Sequence, residues 1–236
     1  MSVAVRSVLF WLALLLVTPP YALLALASAP LPRMARYRVI SGWSWIMLWC
    51  LRLLCGVRWR VEGREHLPAT PTVILAKHQS AWETLAFQQI FPPQVHVLKR
   101  ELLWLPFFGW GLALMSPIPI DRGRGLAALR QIARRGKQRL AQCFWVVVFP
   151  EGTRVKPGQR RRYQLGGAWL AAASGAPVVP VAHNAGRVWP RNSFLKYPGE
   201  VTVRIGPPID SEGRAPEDIN ALAEMWIETQ QRTLDS

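Results

Sequence analysis

The sequence predicts an α/β fold, with a central mixed and partly parallel sheet flanked by helices, joined to an N-terminal hydrophobic helical membrane anchor. No residue between Arg6 and Arg33 is charged, and the stretch is long enough to cross a bilayer as one helix. From about residue 57, short β-branched runs alternate with helix-like ones, the pattern of a sheet whose strands are joined by helices. The 236 residues contain no internal repeat or low-complexity tract, and no linker except around 56–70; a chain of this length can bury a substantial core. Two parts are therefore expected, membrane-anchoring helices over 1–56 and a domain over 57–236 that carries the chemistry.

In chain order, the first element is SVLFWLALLLVTPPYALLALASAP, residues 7–30. Pro19 and Pro20 remove helix hydrogen bonds, so either one kinked span or two half-helices dipping into a single leaflet would fit. ALASAP offers small residues for signal cleavage, but the apolar stretch runs on too long and a second follows, so the segment is expected to be retained. That second stretch, VISGWSWIMLWCL, is too short to cross the hydrocarbon. Trp43, Trp45 and Trp49 suit headgroup depth, while a buried core helix is the alternative on length and periodicity. Arg33, Arg36 and Arg38 between the two stretches favour a cytoplasmic connection. The expected location is the inner (cytoplasmic) membrane, with the larger part of the chain facing the cytosol.

Beyond the anchor, strands are predicted at 57–61 and 72–76 and near 94–98, 144–149, 177–182 and 201–205. Helices are predicted over Ser80 to about Ile90 and near 124–141, 164–174 and 216–232. Pro216 followed by Glu217 and Asp218 makes a favourable start for the last of these.

Charge narrows the partners. Lys plus Arg number 29 against 14 Asp plus Glu, a net +15, which favours nucleic acid, lipid headgroups or a phosphorylated small molecule. The first acidic residue is Glu62, and 12 tryptophans in a chain that is 50% apolar suit a membrane interface. Aromatic residues cluster in apolar runs instead of alternating with Lys and Arg, and no zinc-finger, RNP or helix-turn-helix signature is present, so nucleic acid is not an expected partner. Cys50, Cys55 and Cys143 lack metal-ligand spacing and are odd in number. Neither a disulfide framework nor a metal site is expected, and a reducing compartment fits.

Four short stretches carry candidate chemistry. AKHQSAWETL, residues 76–85, places His78 at the carboxyl end of an apolar strand, where α/β folds handle ligands. Ser80 and Glu83 form a capping-box pattern, so Glu83 has a structural explanation. A histidine just outside a helix can also meet a carboxylate in its first turn, making a dyad in which Glu83 orients the imidazole and His78 takes a proton from a hydroxyl. VVVFPEGTR, residues 146–154, ends a buried strand in a compact turn with Glu151, Gly152, Thr153 and Arg154; the guanidinium suits phosphate. PIPIDRGRG, residues 117–125, stops an apolar run at Asp121 and Arg122 before a helix, and Arg122 could bind an anion. APVVPVAHNAG leads a buried strand to His183, which reads as structural. Ser80 and Cys143 are poor nucleophile candidates, since one fits a helix cap and the other precedes a buried strand.

HQSAWE at 78–83, the run closing on Asp-Arg at 121–122, FPEGTR at 149–154 and the Val-Pro-Val strand at 179–181, in that order, resemble the four motifs of the glycerolipid acyltransferases. Within that family the resemblance is to bacterial members that acylate 1-acyl-sn-glycerol 3-phosphate (lysophosphatidic acid), and it runs from about residue 57 to about 210. It implies an acyltransferase of phospholipid biosynthesis that moves a fatty acyl group from acyl-CoA or acyl carrier protein to the acceptor's free hydroxyl, giving phosphatidic acid, without a cofactor. Carried over by motif, His78 is the general base and Glu83 its partner. Arg122, Glu151, Gly152, Thr153 and Arg154 form the acceptor-binding region, with the arginines on phosphate and Lys99 assisting. Glu83 replaces the commoner aspartate, and Lys77 stands where many members have asparagine, a difference that bears on acceptor choice. The resemblance also suggests that part of LKRELLWLPFFGWGLALM, residues 98–115, lines an acyl-chain groove, where core packing is the alternative.

The basic run 159–162 reads as a solvated face or as a contact with anionic membrane lipids or donor phosphates. Two rival readings are a same-fold enzyme acting on another acceptor, such as lyso-ornithine lipid or a lysophospholipid, and a non-catalytic basic module that binds membranes.

Overall fold

The structure is a computed structural model and describes every residue except Arg122, Arg124 and Ser236. Seven strands form one sheet: β1 (Val57–Glu62), β2 (Val73–Ala76), β3 (Gln94–Lys99), β4 (Ile118–Ile120), β5 (Trp145–Val148), β6 (Val178–His183) and β7 (Gly199–Ile205). Their order across the sheet is β1-β7-β6-β2-β5-β3-β4. All neighbours are parallel except β6 and β7. The sheet is thus mixed and mostly parallel, as the alternation of strand and helix patterns predicts.

The residues of β2, β5 and β6 are all buried, because helices cover both faces of a parallel core and leave no polar side to alternate with. Along β2, Ile74 and Ala76 pack in one core and Val73 and Leu75 in the other. The first core is closed by α1 (Val3–Ala27), α2 (Arg33–Cys50) and α3 (Trp82–Ile90), through residues such as Phe10, Met47 and Phe87. The second is closed by α5 (Leu126–Ala141), α6 (Gly166–Ser174) and α8 (Pro216–Leu234), through Ile132, Leu170 and Ile227. Two short helices, α4 (Phe108–Leu114) and α7 (Ala185–Val188), complete the chain.

Pro19 and Pro20 lie inside the single helix α1, so two separate half-helices are excluded. The helix is held near both ends. The Lys196 amide donates to Ser7 Oγ at 2.9 Å and Trp11 Nε1 to the Phe194 carbonyl at 3.0 Å. At the other end Ala25 is buried beside Gly111 of α4. Tertiary contacts of this kind offset the hydrogen bonds that two prolines forfeit. α2 runs on as a π turn through Cys55 and divides its surface. Tyr37, Ile40, Met47 and Leu48 are buried, whereas Trp45 and Trp49 face outward. Outward-facing Leu12, Leu15, Leu16 and Leu23 of α1, with Trp104, Leu105 and Trp110 around α4, add to the exposed apolar surface of this region.

Candidate active site

The site forms where β2 and β5 end at their carboxyl edges, the usual ligand position of a parallel sheet. His78 lies in the loop between β2 and α3. Its Nδ1 is 2.8 Å from Glu83 Oε1, and that same oxygen accepts the amides of Gln79 at 2.9 Å and Ser80 at 2.8 Å. One carboxylate oxygen therefore makes both the contact to the amides ahead of α3 and the contact to the imidazole. Burial alone would raise the pKa of Glu83, but His183, His78 and the Ser80 amide outweigh it and hold the carboxyl below its ordinary range. A carboxylate can only accept, so Nδ1 carries the proton. Nε2 of His78 has no protein partner among the described residues, and the ring stacks on Phe149 at 4.1 Å between centroids while lining a cavity of about 770 Å³.

The turn after β5 clamps the histidine's backbone. The His78 amide donates to Glu151 Oε2 at 2.8 Å, and the Val155 amide donates to the His78 carbonyl at 2.7 Å. Gly152 sits at φ +68°, a left-handed conformation that favours glycine, so its role is to close this turn. The second oxygen of Glu151 pairs with Lys77 Nζ at 2.8 Å. Burial pushes Glu151 up to about 7 against the pull of that ammonium.

His78, Lys99, Glu151, Gly152, Thr153 and Arg154 all line the same cavity. Glu83 stands behind the imidazole and is wholly buried. Both carboxylate oxygens of Glu151 are turned to protein groups. Lys99 is exposed and pairs with Glu101 at 3.1 Å. Arg122 lies outside the described residues. His183 donates from Nε2 to the Lys77 carbonyl at 2.9 Å and accepts the Ala185 amide on Nδ1 at 3.2 Å, which makes it a buttress of the loop. Lys77 is fully buried and does not line the cavity, so it does not touch an acceptor there.

Arg161 and Arg162 also line the cavity while remaining exposed, which is compatible with either sequence reading of their run, a solvated face or a contact with anionic lipids or donor phosphates. Much of the remaining wall is apolar, with Tyr21 and Ala25 of α1, Ile40 and Trp43 of α2, Leu85 of α3, Phe108 and Gly111 of α4 and Ile132 of α5, while Thr84, Gln88 and His96 add polar groups. Leu98, Leu102, Phe107 and Met115 join the apolar part. The cavity thus combines an imidazole with one ring nitrogen left free for a substrate, guanidinium groups suited to phosphate, and an apolar trough suited to an alkyl chain.

A family model described as Acyltransferase matches residues 58–184. A 1-acyl-sn-glycerol-3-phosphate acyltransferase of Pseudomonas aeruginosa is 46% identical over 95% of this chain and 89% of its own length. The human 1-acyl-sn-glycerol-3-phosphate acyltransferase alpha is 33% identical over 76% of the chain, which spans 64% of that relative. The crystal structure of a 1-acyl-sn-glycerophosphate acyltransferase from Thermotoga maritima shares the fold, with a TM-score of 0.80 and 22% identity over 98% of this chain and 95% of that one. A motif set in the family's order, a matching family model over more than half the chain and a relative similar along almost its whole length make this protein a member of the acyltransferase family, and an enzyme.

Proposed function

We propose that the enzyme transfers a fatty acyl group from a thioester, acyl-CoA or acyl carrier protein, to the free hydroxyl of 1-acyl-sn-glycerol 3-phosphate, giving phosphatidic acid. The observation that carries this reading is the imidazole of His78, tied through Nδ1 to Glu83, on the wall of a cavity that also holds Arg154 and an apolar trough. Nε2 takes the hydroxyl proton as the oxygen attacks the thioester carbonyl. The tetrahedral adduct collapses with cleavage of the C–S bond, and the departing thiolate recovers the proton from the imidazolium. Glu83 stabilises that cation while it exists. Arg154, with Arg122, holds the acceptor phosphate through charge-assisted bonds. The curated name of the Pseudomonas aeruginosa relative supports this choice of acceptor.

The exposed apolar faces of α1, α2 and α4 seat the enzyme in the cytosolic leaflet of the inner membrane, and the arginines around them meet anionic lipids. The 25 residues of α1 extend about 37 Å at 1.5 Å per residue. Packing against the rest of the protein near both ends favours a helix lying within one leaflet over one leaving the domain to cross the bilayer.

The test is turnover by His78→Ala in detergent with lysophosphatidic acid and palmitoyl-CoA. A loss of about 10²–10⁴-fold with unchanged membrane association is expected. Full turnover would overturn the assignment of His78 as the base, and a preference of the unaltered enzyme for lyso-ornithine lipid would reassign the acceptor.

A further inference from the structure

Behind the His78 loop, Glu151 of the cavity wall reaches into a buried charge cluster around Lys77. Lys77 Nζ is 2.8 Å from Glu151 Oε1 and 2.8 Å from Glu228 Oε1, and it donates to the Gln159 carbonyl at 3.2 Å. Tyr163 donates its hydroxyl to the same Glu228 oxygen at 3.0 Å, and Arg160 Nε stands 3.4 Å from the other. Glu228 belongs to α8, beyond residues 58–184 matched by the family model. Removing such groups from water costs as much as their pairing returns, and apolar residues of similar size commonly stabilise a core as well or better. Stability therefore gives a weak reason for this cluster. Its geometry gives a stronger one, because the oxygen of Glu151 left free by Lys77 accepts the His78 amide at 2.8 Å.

We propose that Lys77 and Glu228 are positioning residues that act through Glu151 to fix the backbone of His78, and with it the reach of Nε2 to the acceptor hydroxyl. The proposal rests on the reading of His78 as the base. Lys77 stands between the two glutamates, and without it Glu151 would lose the cation it pairs with while still facing Glu228. The burial that already raises Glu151 would then protonate it, and its oxygen would lose the charge that shortens and strengthens the bond to the His78 amide. A displacement on the order of 1 Å at a reacting group can cost about 10²-fold in rate.

The experiment uses the full chain in detergent, with lysophosphatidic acid and palmitoyl-CoA, and compares Lys77→Met, Glu151→Gln, their combination, and Lys77→Met with Glu228→Leu. Lys77→Met is expected to lower kcat about 10- to 100-fold while KM for both substrates stays within about threefold. Added to Glu151→Gln, it should cost less than about twofold more, since both changes break one chain of contacts. The apolar pair Lys77→Met with Glu228→Leu should melt above Lys77→Met alone without regaining kcat. Multiplicative losses in the combined variant, a loss carried by KM, or recovery of kcat together with stability would each overturn the proposal. His78→Ala in the same assay separates the two readings. If it turns over fully, the base assignment fails; if it is inactive while Lys77→Met keeps wild-type kcat, only the positioning role fails.

Discussion

One oxygen of Glu83 accepts the Ser80 amide just ahead of helix α3 at 2.8 Å and stands 2.8 Å from His78 Nδ1. Substitutions at Glu83 should therefore separate the two tasks. Glu83→Gln keeps an acceptor for the amides but loses the charge that stabilises the imidazolium. Its expected effect is a kcat loss of about 10²–10⁴-fold with little change in melting temperature. Glu83→Ala removes the acceptor as well and should also lose about 1 kcal/mol of stability. Steady-state kinetics and thermal melts on both variants check this; equal melting losses would show that the amide contacts depend on the charge.

Arg154 lines the cavity beside His78. Arg154→Ala is expected to raise KM for lysophosphatidic acid about 10- to 100-fold, the value of a charge-assisted hydrogen bond, and to leave KM for the acyl donor unchanged. An equal rise for both substrates would count against a phosphate contact. Arg161→Ala, at the same cavity but on an exposed side chain, should have the smaller effect.

Ala25 on α1 is buried, lines the cavity and stands against Gly111. Ala25→Phe fills part of the apolar trough and should shorten the preferred chain. Each methylene that no longer fits forfeits about 0.8 kcal/mol, roughly fourfold in kcat/KM. Competition between sixteen- and twelve-carbon chains, run once on the donor and once on the acceptor, reads the shift; an unchanged ratio in both would show that neither chain reaches α1.

Lys196 is buried, with Nζ 4.1 Å from the Trp11 ring centroid and 4.5 Å from that of Trp189, and it donates to the Phe194 carbonyl at 2.7 Å. Burial pushes its ammonium down to about 8. Between about 8 and its ordinary 10.5, the folded protein binds fewer protons at this site than the unfolded chain. Stability from this group accordingly rises with pH across that window and is lowest below it. The melting temperature of the wild type should gain on that of Lys196→Met as pH is raised from about 8 to about 10. A constant difference would mean that the amine remains charged in its aromatic surroundings.

The sequence makes the buried strands and the order of the four motifs legible because both are local signals. VILA, WVVV and VVPVAH are apolar runs bounded by turns, and HQSAWE and FPEGTR sit where such runs end. Elements whose reasons are remote are less legible. β4 is three residues of an edge strand containing Pro119, too short for periodicity to register. α4 contains two glycines in seven residues and depends on α1 for its packing. Pro19 and Pro20 leave one kinked span and two half-helices equally open in the sequence because the groups that hold α1 lie at 194 and 196. At the site, the short link from Glu83 to His78 is a matter of five residues, whereas Glu228 meets Lys77 across 151 positions. Nothing in the local pattern of α8 marks that glutamate.

The outward sides of α1 and α2 are apolar, and their inward sides help to wall the trough. Under the proposed seating, a lysolipid can slip sideways from the bilayer into the reaction chamber and its tail need never be wetted. Pulling a sixteen-carbon tail into water would cost on the order of 12 kcal/mol at about 0.8 per methylene. Avoiding that extraction leaves the polar headgroup as the part of the substrate that must be recognised, and the doubly acylated product departs by the same dry route.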